Sequence, residues 1–146
     1  MRPLNKDAVR FVVIHCSATA PAADIGAAEI KQWHLGKGRA DIGYHVVIRR
    51  NGVVEQGRGL HFQGAHVRGH NYESVAVCLI GGAAADGVTP DANFTAAQWS
   101  SLEAVVLAIL EKFPGATLRG HRDFPGVAKA CPSFDVKSWW SARGTS

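Results

Sequence analysis

Residues 10–19 read RFVVIHCSAT, and this stretch decides both the fold and the position of the candidate site. The apolar run at residues 11–14 is typical of a strand buried in a sheet. His15 follows the run directly, where the strand opens into a loop. We therefore predict a buried strand that carries His15 at its end, at an edge of the sheet.

A second informative segment is residues 121–134, HRDFPGVAKACPSF. A Pro-Gly pair and Pro132 interrupt any helix or strand in this segment. We predict an ordered loop that follows a short strand at residues 117–119. Loops held on rigid elements are where binding and catalytic residues concentrate.

This loop contains His121 and Cys131, and His and Cys side chains are both zinc ligands in proteins. A catalytic zinc usually has three protein ligands and a water, and His15 is the best candidate for the third. Position alone leaves an alternative open, in which His15 is a core histidine bonded to a backbone carbonyl and His121 is a surface residue.

Composition indicates one globular domain. The chain has 146 residues, of which 47% are hydrophobic and 19% charged, so it can bury a core and is not a disordered chain. The net charge of +4 favours anionic partners only weakly. The basic residues are scattered along the chain, so we expect no direct nucleic-acid contact. We predict a polar arm at residues 1–9 and a single domain at residues 10–146.

The sequence predicts neither a signal peptide nor a membrane span. The first ten residues contain no apolar stretch of signal-peptide length, and no run approaches 18 apolar residues, so we expect synthesis in a cytoplasm and no membrane insertion. The three cysteines do not suggest a disulfide framework. Cys16 and Cys78 lie in apolar strands, whereas Cys131 lies in a polar loop where a thiolate is more plausible.

Periodicity predicts an α/β fold, a single mixed sheet of about five strands flanked by about three helices. An Asn-Gly turn at residues 51–52 predicts a hairpin. The segment TAAQ at residues 95–98 is a capping box that begins a helix ending near residue 113. We predict a first helix at residues 25–35 capped by Asp24, and a last one at residues 134–142 capped by Ser133.

Six short motifs occur in order along nearly the whole chain, and together they resemble the type 2 N-acetylmuramoyl-L-alanine amidases. The resemblance is greatest to small phage endolysins, which share a fold with the peptidoglycan recognition proteins. The motifs are HCSAT at residues 15–19, GYH at 43–45, GAH at 64–66, GHN at 69–71, GH at 120–121 and KACP at 129–132.

The resemblance implies one zinc per chain, bound by His15, His121 and Cys131. It also implies catalytic roles for Tyr44 and Lys129. The substrate would be peptidoglycan, cut between N-acetylmuramic acid and L-alanine. In this chain the loop from His121 to Cys131 is two residues longer than in the most similar phage proteins. The difference affects only the path of that loop.

An irregular loop at residues 57–72 is predicted to line the substrate groove, with His66 and Asn71 as candidates for sugar or peptide contacts. A plain surface loop is the alternative for both. We expect His34 and His45 to be structural hydrogen-bonding residues.

Two other functions are alternatives to a simple amidase. The first is a non-catalytic peptidoglycan-binding module, against which the presence of Cys131, Tyr44 and Lys129 argues. The second is an amidase that also inhibits a phage RNA polymerase, a partner that the resemblance does not transfer to this chain. We expect a monomer, made in the cytoplasm of the host bacterium, that reaches the cell wall after release by a membrane-permeabilising partner.

Overall fold

The computed structural model of the protein describes residues 1–143. It contains a five-stranded sheet of order β3-β2-β4-β1-β5 and three α-helices, which confirms the predicted fold class. The strands are β1 (Phe11–Cys16), β2 (Val46–Ile48), β3 (Val54–Gln56), β4 (Ser74–Leu79) and β5 (Thr117–Gly120), and the helices are α1 (Ala27–Gly36), α2 (Ala96–Lys112) and α3 (Val136–Ala142).

The strand β1 lies inside the sheet, between β4 and β5, and it is parallel to both. The strand β2 is parallel to β4, and β3 is antiparallel to β2. The predicted hairpin is confirmed: Gly52 has a φ of 86°, in the left-handed region that glycine adopts without a Cβ clash. Four parallel strands therefore direct their carboxyl ends toward one edge.

Alternation along β1 sends its side chains to two different cores. Val12 and Ile14 are fully buried in the larger core, which also contains residues of α2 and α3. Val13 is fully buried on the opposite side of the strand, in a cluster with Val67. Because His15 is two residues after Val13, it shares that second face.

The capping box of α2 is confirmed. The Thr95 hydroxyl accepts the backbone N–H of Gln98, and the Gln98 side chain accepts the backbone N–H of Thr95. Gln98 is fully buried, and its amide also donates to the carbonyls of Ile48 and Ile80. One side chain thus begins the helix and fixes it to two adjacent strands.

Two predicted helix caps are wrong. Gly26 is the N-cap of α1, because the Asp24 carboxylate instead pairs with the guanidinium of Arg49 at 2.9 Å. Asp135 is the N-cap of α3. Ser133 has a φ of 74°, and its hydroxyl donates to a backbone carbonyl outside the helix. In both cases a tertiary contact takes the predicted capping side chain.

The predicted N-terminal arm lies against the domain. Pro3 forms a bridge with Phe62, and the backbone N–H of Leu4 donates to the His61 carbonyl at 2.8 Å. These contacts join the first residues to the long loop predicted at residues 57–72. Among residues 1–143, no helix is long and apolar enough to cross a membrane.

Candidate metal centre

Sheet register brings the first two candidate ligands together. Ile14 of β1 is the partner of Gly120 of β5, so the next residues, His15 and His121, are neighbours at the carboxyl edge of two parallel strands. Their ring centroids are 4.6 Å apart. This edge is also where ligands commonly bind in open α/β sheets.

The loop after β5 turns back and places Cys131 beside His15. The sulfur accepts the backbone N–H of Cys16 at 3.2 Å and lies 3.9 Å from Nδ1 of His15. The ligand atoms of His15, His121 and Cys131 all lie within 4.8 Å of one another. The three residues predicted as metal ligands therefore form one cluster.

The donor set fits zinc. Bonds of about 2.0 Å to imidazole nitrogen and about 2.3 Å to thiolate sulfur separate the ligand atoms of a tetrahedral zinc by about 3.3–3.6 Å. The ligand atoms here are farther apart than this, up to 4.8 Å, so the side chains would move inward to hold the ion. Three protein ligands leave one position open for water, as in catalytic zinc sites.

Local electrostatics favour the neutral form of both histidines. Burial is the main cause that lowers the pKa of His15 and of His121, and the positive charge of Lys129 lowers both pKa values further. A neutral imidazole keeps the lone pair that a metal requires. Contact with the Cys16 side chain, followed by burial, raises the pKa of the Cys131 thiol. A bound cation would reverse this effect and deprotonate the sulfur.

Tyr44 and Lys129 line the same cavity as His121 and Cys131, a space of about 220 Å³. The Tyr44 ring centroid lies 4.9 Å from that of His15. Burial raises the pKa of Tyr44 well above its ordinary value, so its hydroxyl stays protonated and can donate a hydrogen bond. Lys129 is exposed and adds a cation to the cavity lining.

A second cavity of about 560 Å³ adjoins the first, since His121 and Lys129 line both. Its lining also includes Arg39 and Arg68, and none of the lining residues is acidic. Neither arginine nor Lys129 forms an ion pair within residues 1–143. This basic pocket is therefore suited to an anionic group close to the cluster.

The two candidate substrate contacts line this basic pocket, but both form hydrogen bonds within the protein. His66 uses both ring nitrogens, with Nδ1 at 2.8 Å from His15 Nε2 and Nε2 at 3.0 Å from the Ser74 hydroxyl. The Asn71 side-chain oxygen accepts the backbone N–H groups of His66 and Val67, both at 3.0 Å. Their contacts with substrate stay predictions.

Two other histidines have structural partners. His34 Nδ1 accepts the backbone N–H of Gly43 at 2.8 Å, and burial lowers the pKa of His34 to about 4. His45 Nδ1 accepts the backbone N–H of Ala76 at 3.0 Å, while Nε2 lies 2.8 Å from the Phe62 carbonyl and donates to it. Both residues therefore hold the segment that carries Tyr44.

Sequence reasoning missed three groups near the cluster. They are the Ser74 hydroxyl, the backbone N–H of Cys16 and the two arginines of the basic pocket. Ser74 is the first residue of an apolar strand, and nothing in its sequence context indicates a polar role. The contact of Cys16 with Cys131 joins residues 115 positions apart, whereas that of Ser74 with His66 joins residues eight positions apart.

Comparison with known proteins identifies the class. The profile of the N-acetylmuramoyl-L-alanine amidase family matches residues 5–134, and the chain belongs to this family. More particularly, the chain is 45% identical over 136 residues to the endolysin of Escherichia phage T7, a match that covers 93% of this chain and 88% of that protein. The resemblance to phage endolysins inferred from six motifs is confirmed.

Solved structures support the same fold. The N-acetylmuramoyl-L-alanine amidase LysC from Clostridium intestinale superposes with a TM-score of 0.78 at 23% identity, over 97% of this chain and 90% of that one. Bumblebee PGRP-SA superposes with a TM-score of 0.77 at 22% identity, over 97% and 84% of the two chains. At these identities the likeness concerns the fold alone.

Proposed function

We propose that the protein is a zinc-dependent N-acetylmuramoyl-L-alanine amidase that cuts peptidoglycan between N-acetylmuramic acid and L-alanine. The observation that carries the proposal is the cluster of His15, His121 and Cys131, whose ligand atoms lie within 4.8 Å of one another, beside a cavity that His121 and Cys131 line. The family match supports the reaction, and the donor set supports zinc.

Each group near the cluster has a task in amide hydrolysis. When bound, zinc supplies a Lewis acid and makes water acidic enough to act as a nucleophile near neutral pH. The protonated hydroxyl of Tyr44, which lines the cavity, would donate to the oxygen that becomes negative in the transition state. Lys129 adds a positive charge to the lining of the same cavity. One such donor is typically worth about 2.7–4 kcal/mol of transition-state stabilisation.

The basic pocket supports an anionic substrate. The stem peptide of peptidoglycan carries carboxylates, and Arg39, Arg68 and Lys129 present three cations without an acidic neighbour in the lining. We place the scissile amide in the smaller cavity and the peptide carboxylates in the basic pocket. Shape and charge then orient the amide toward the cluster, which lowers the entropic cost of reaction.

A charge reversal tests this placement. Arg68→Glu should raise KM for muropeptides with free carboxylates by about tenfold, and it should change KM much less for their amidated analogues. The same reversal at Lys137, an exposed residue on α3 outside the basic pocket, is the matched control. An equal rise in KM for both classes of substrate would contradict the assignment of the pocket.

The main experiment separates an amidase from a non-catalytic binding module. Purified cell wall is incubated with zinc-loaded and chelator-treated protein, and new L-alanine amino termini and new reducing sugars are measured. We expect amino termini without reducing sugars, activity lost with the chelator, and activity restored by zinc. Binding of cell wall without release of amino termini would favour the module and refute the proposal.

We propose that the protein is made in the host cytoplasm and reaches the wall after a membrane-permeabilising partner acts. Similarity to phage endolysins supports this order of events. Expression with and without a co-expressed pore former tests it. Rapid lysis without the pore former would contradict the proposal. An added inhibition of a phage RNA polymerase stays an alternative, and the monomeric state stays a prediction.

A further inference from the structure

A continuous hydrogen-bonded chain leads from the cluster into the sheet. His15 Nε2 lies 2.8 Å from His66 Nδ1, and His66 Nε2 lies 3.0 Å from the Ser74 hydroxyl. The Ser74 hydroxyl in turn lies 2.8 Å from the backbone carbonyl of His70. Ser74 is fully buried at the start of β4, next to Phe11 of β1, so the far end of the chain is fixed by the sheet.

The chemistry of these groups allows one arrangement of protons. A carbonyl oxygen only accepts, so the single Ser74 proton is directed to His70. The hydroxyl oxygen must then accept from Nε2–H of His66. His66 has no carboxylate partner within residues 1–143, so no anion balances a second proton on its ring. Its Nδ1 therefore keeps a lone pair and accepts from His15.

We propose that His66 is a positioning residue that holds His15 as the Nε2–H tautomer and so presents the Nδ1 lone pair to the metal. His15 Nδ1 is the nitrogen that faces Cys131, at 3.9 Å from the sulfur. The inference rests on the proposed zinc function for its purpose, but the tautomer itself is a property of the metal-free protein. It gives His66 a role different from the predicted substrate contact.

The same chain explains how the ligand stays rigid. A ligating histidine whose other nitrogen is hydrogen-bonded has a fixed ring orientation, and loss of such a partner typically costs about 10–100-fold in metal affinity. Here the partner is itself held from both ends, by His15 and by Ser74. Ring rotation of His15 would break the first hydrogen bond of the chain.

Two measurements test the proposal. Nitrogen NMR of the histidine rings in the metal-free protein should show His15 protonated at Nε2 and unprotonated at Nδ1. Zinc affinity, measured by competition with a chromophoric chelator, should fall about 10–100-fold in His66→Leu. His66→Asn keeps an acceptor near the position of Nδ1 and should recover most of the affinity. Ser74→Ala should cause a smaller loss than His66→Leu.

The matched control is His45→Leu. His45 is 1% exposed and also uses both ring nitrogens, but its partners are backbone groups of Phe62 and Ala76. This variant should lose stability and keep both the His15 tautomer and the zinc affinity. An equal loss of zinc affinity in His45→Leu would show that any disturbance of the packing around the cluster weakens zinc binding, and it would overturn the proposal.

Two further results would also overturn it. One is a His15 ring protonated at Nδ1 in the metal-free protein, and the other is unchanged zinc affinity in a folded His66→Leu variant. If the wild type bound no zinc, the proposed function would fail instead, and the NMR measurement would still decide the tautomer.

Discussion

Replacement of Cys131 by serine is the sharpest test of the metal centre. The sulfur lies 3.9 Å from His15 Nδ1 and accepts the backbone N–H of Cys16, so it occupies a defined position in the cluster. Serine keeps the size and the hydrogen-bonding capacity but replaces a thiolate by a neutral hydroxyl. Two imidazoles alone do not make the three-ligand set of a catalytic zinc site.

The expected loss of zinc affinity can be bounded from the typical cost of a milder change, the removal of a group that only supports a ligand. Removal of a partner outside the ligand shell typically costs about 10–100-fold in metal affinity, so loss of a ligand should cost more than about 100-fold. That corresponds to more than about 2.8 kcal/mol of binding free energy at about 1.4 kcal/mol per factor of ten. The fold should survive, because Cys131 is only partly buried and lies in a loop.

The assay is zinc content and zinc affinity of purified variants, with circular dichroism to verify folding. Cys131→Asp keeps an anionic oxygen ligand and should retain more zinc than Cys131→Ser. Cys78→Ala is the matched control, because Cys78 is a free, buried thiol that lies beside His15 in the sheet but is not one of the three clustered ligand residues. Full zinc occupancy together with full activity in Cys131→Ser would refute the assignment of this ligand.

Further predictions concern catalysis and pH. Tyr44→Phe and Lys129→Ala should keep zinc and fold but lose about 10²–10³-fold in kcat, measured on cell wall; loss of zinc instead would make the role structural. Burial lowers the pKa of His34, to about 4, and of His45. Below about pH 6.5 the unfolded chain therefore binds more protons than the folded protein, so the free energy of unfolding falls as the pH falls. Above about pH 6.5 these histidines are neutral in both states and cost no stability. As the pH falls toward the folded-state values, each histidine should cost up to about 1.4 kcal/mol per pH unit. Urea denaturation of the metal-free protein between about pH 7.5 and pH 5 measures this, and a flat profile would contradict it.

Much of the fold could be predicted because its signals are local. The capping box at Thr95 and Gln98 and the Asn-Gly turn at residues 51–52 act over two to four residues, and both occur as predicted. The apolar run before His15 indicated a buried strand, and β1 lies inside the sheet. Helix caps were less predictable, since Asp24 has a stronger partner in Arg49, 25 positions away.

The candidate site could also be predicted only in part. The residue types of His15, His121 and Cys131 and the endolysin resemblance were available from the sequence, and they sufficed to name a ligand set. The sequence did not contain the role of His66, which is 51 positions from His15, or of Ser74 at the start of an apolar strand. It also gave no sign that two arginines line the pocket next to the cluster.

The sequence by itself determined which elements form, because turns, apolar periodicity and the capping box at Thr95 and Gln98 depend on neighbouring residues. Only the tertiary structure decided which side chains meet. His15 and Cys131 are 116 positions apart, and the register of Ile14 opposite Gly120 brings His15 next to His121. A shift of one residue in that register would turn His15 away from His121, because side chains alternate between the two faces of a strand.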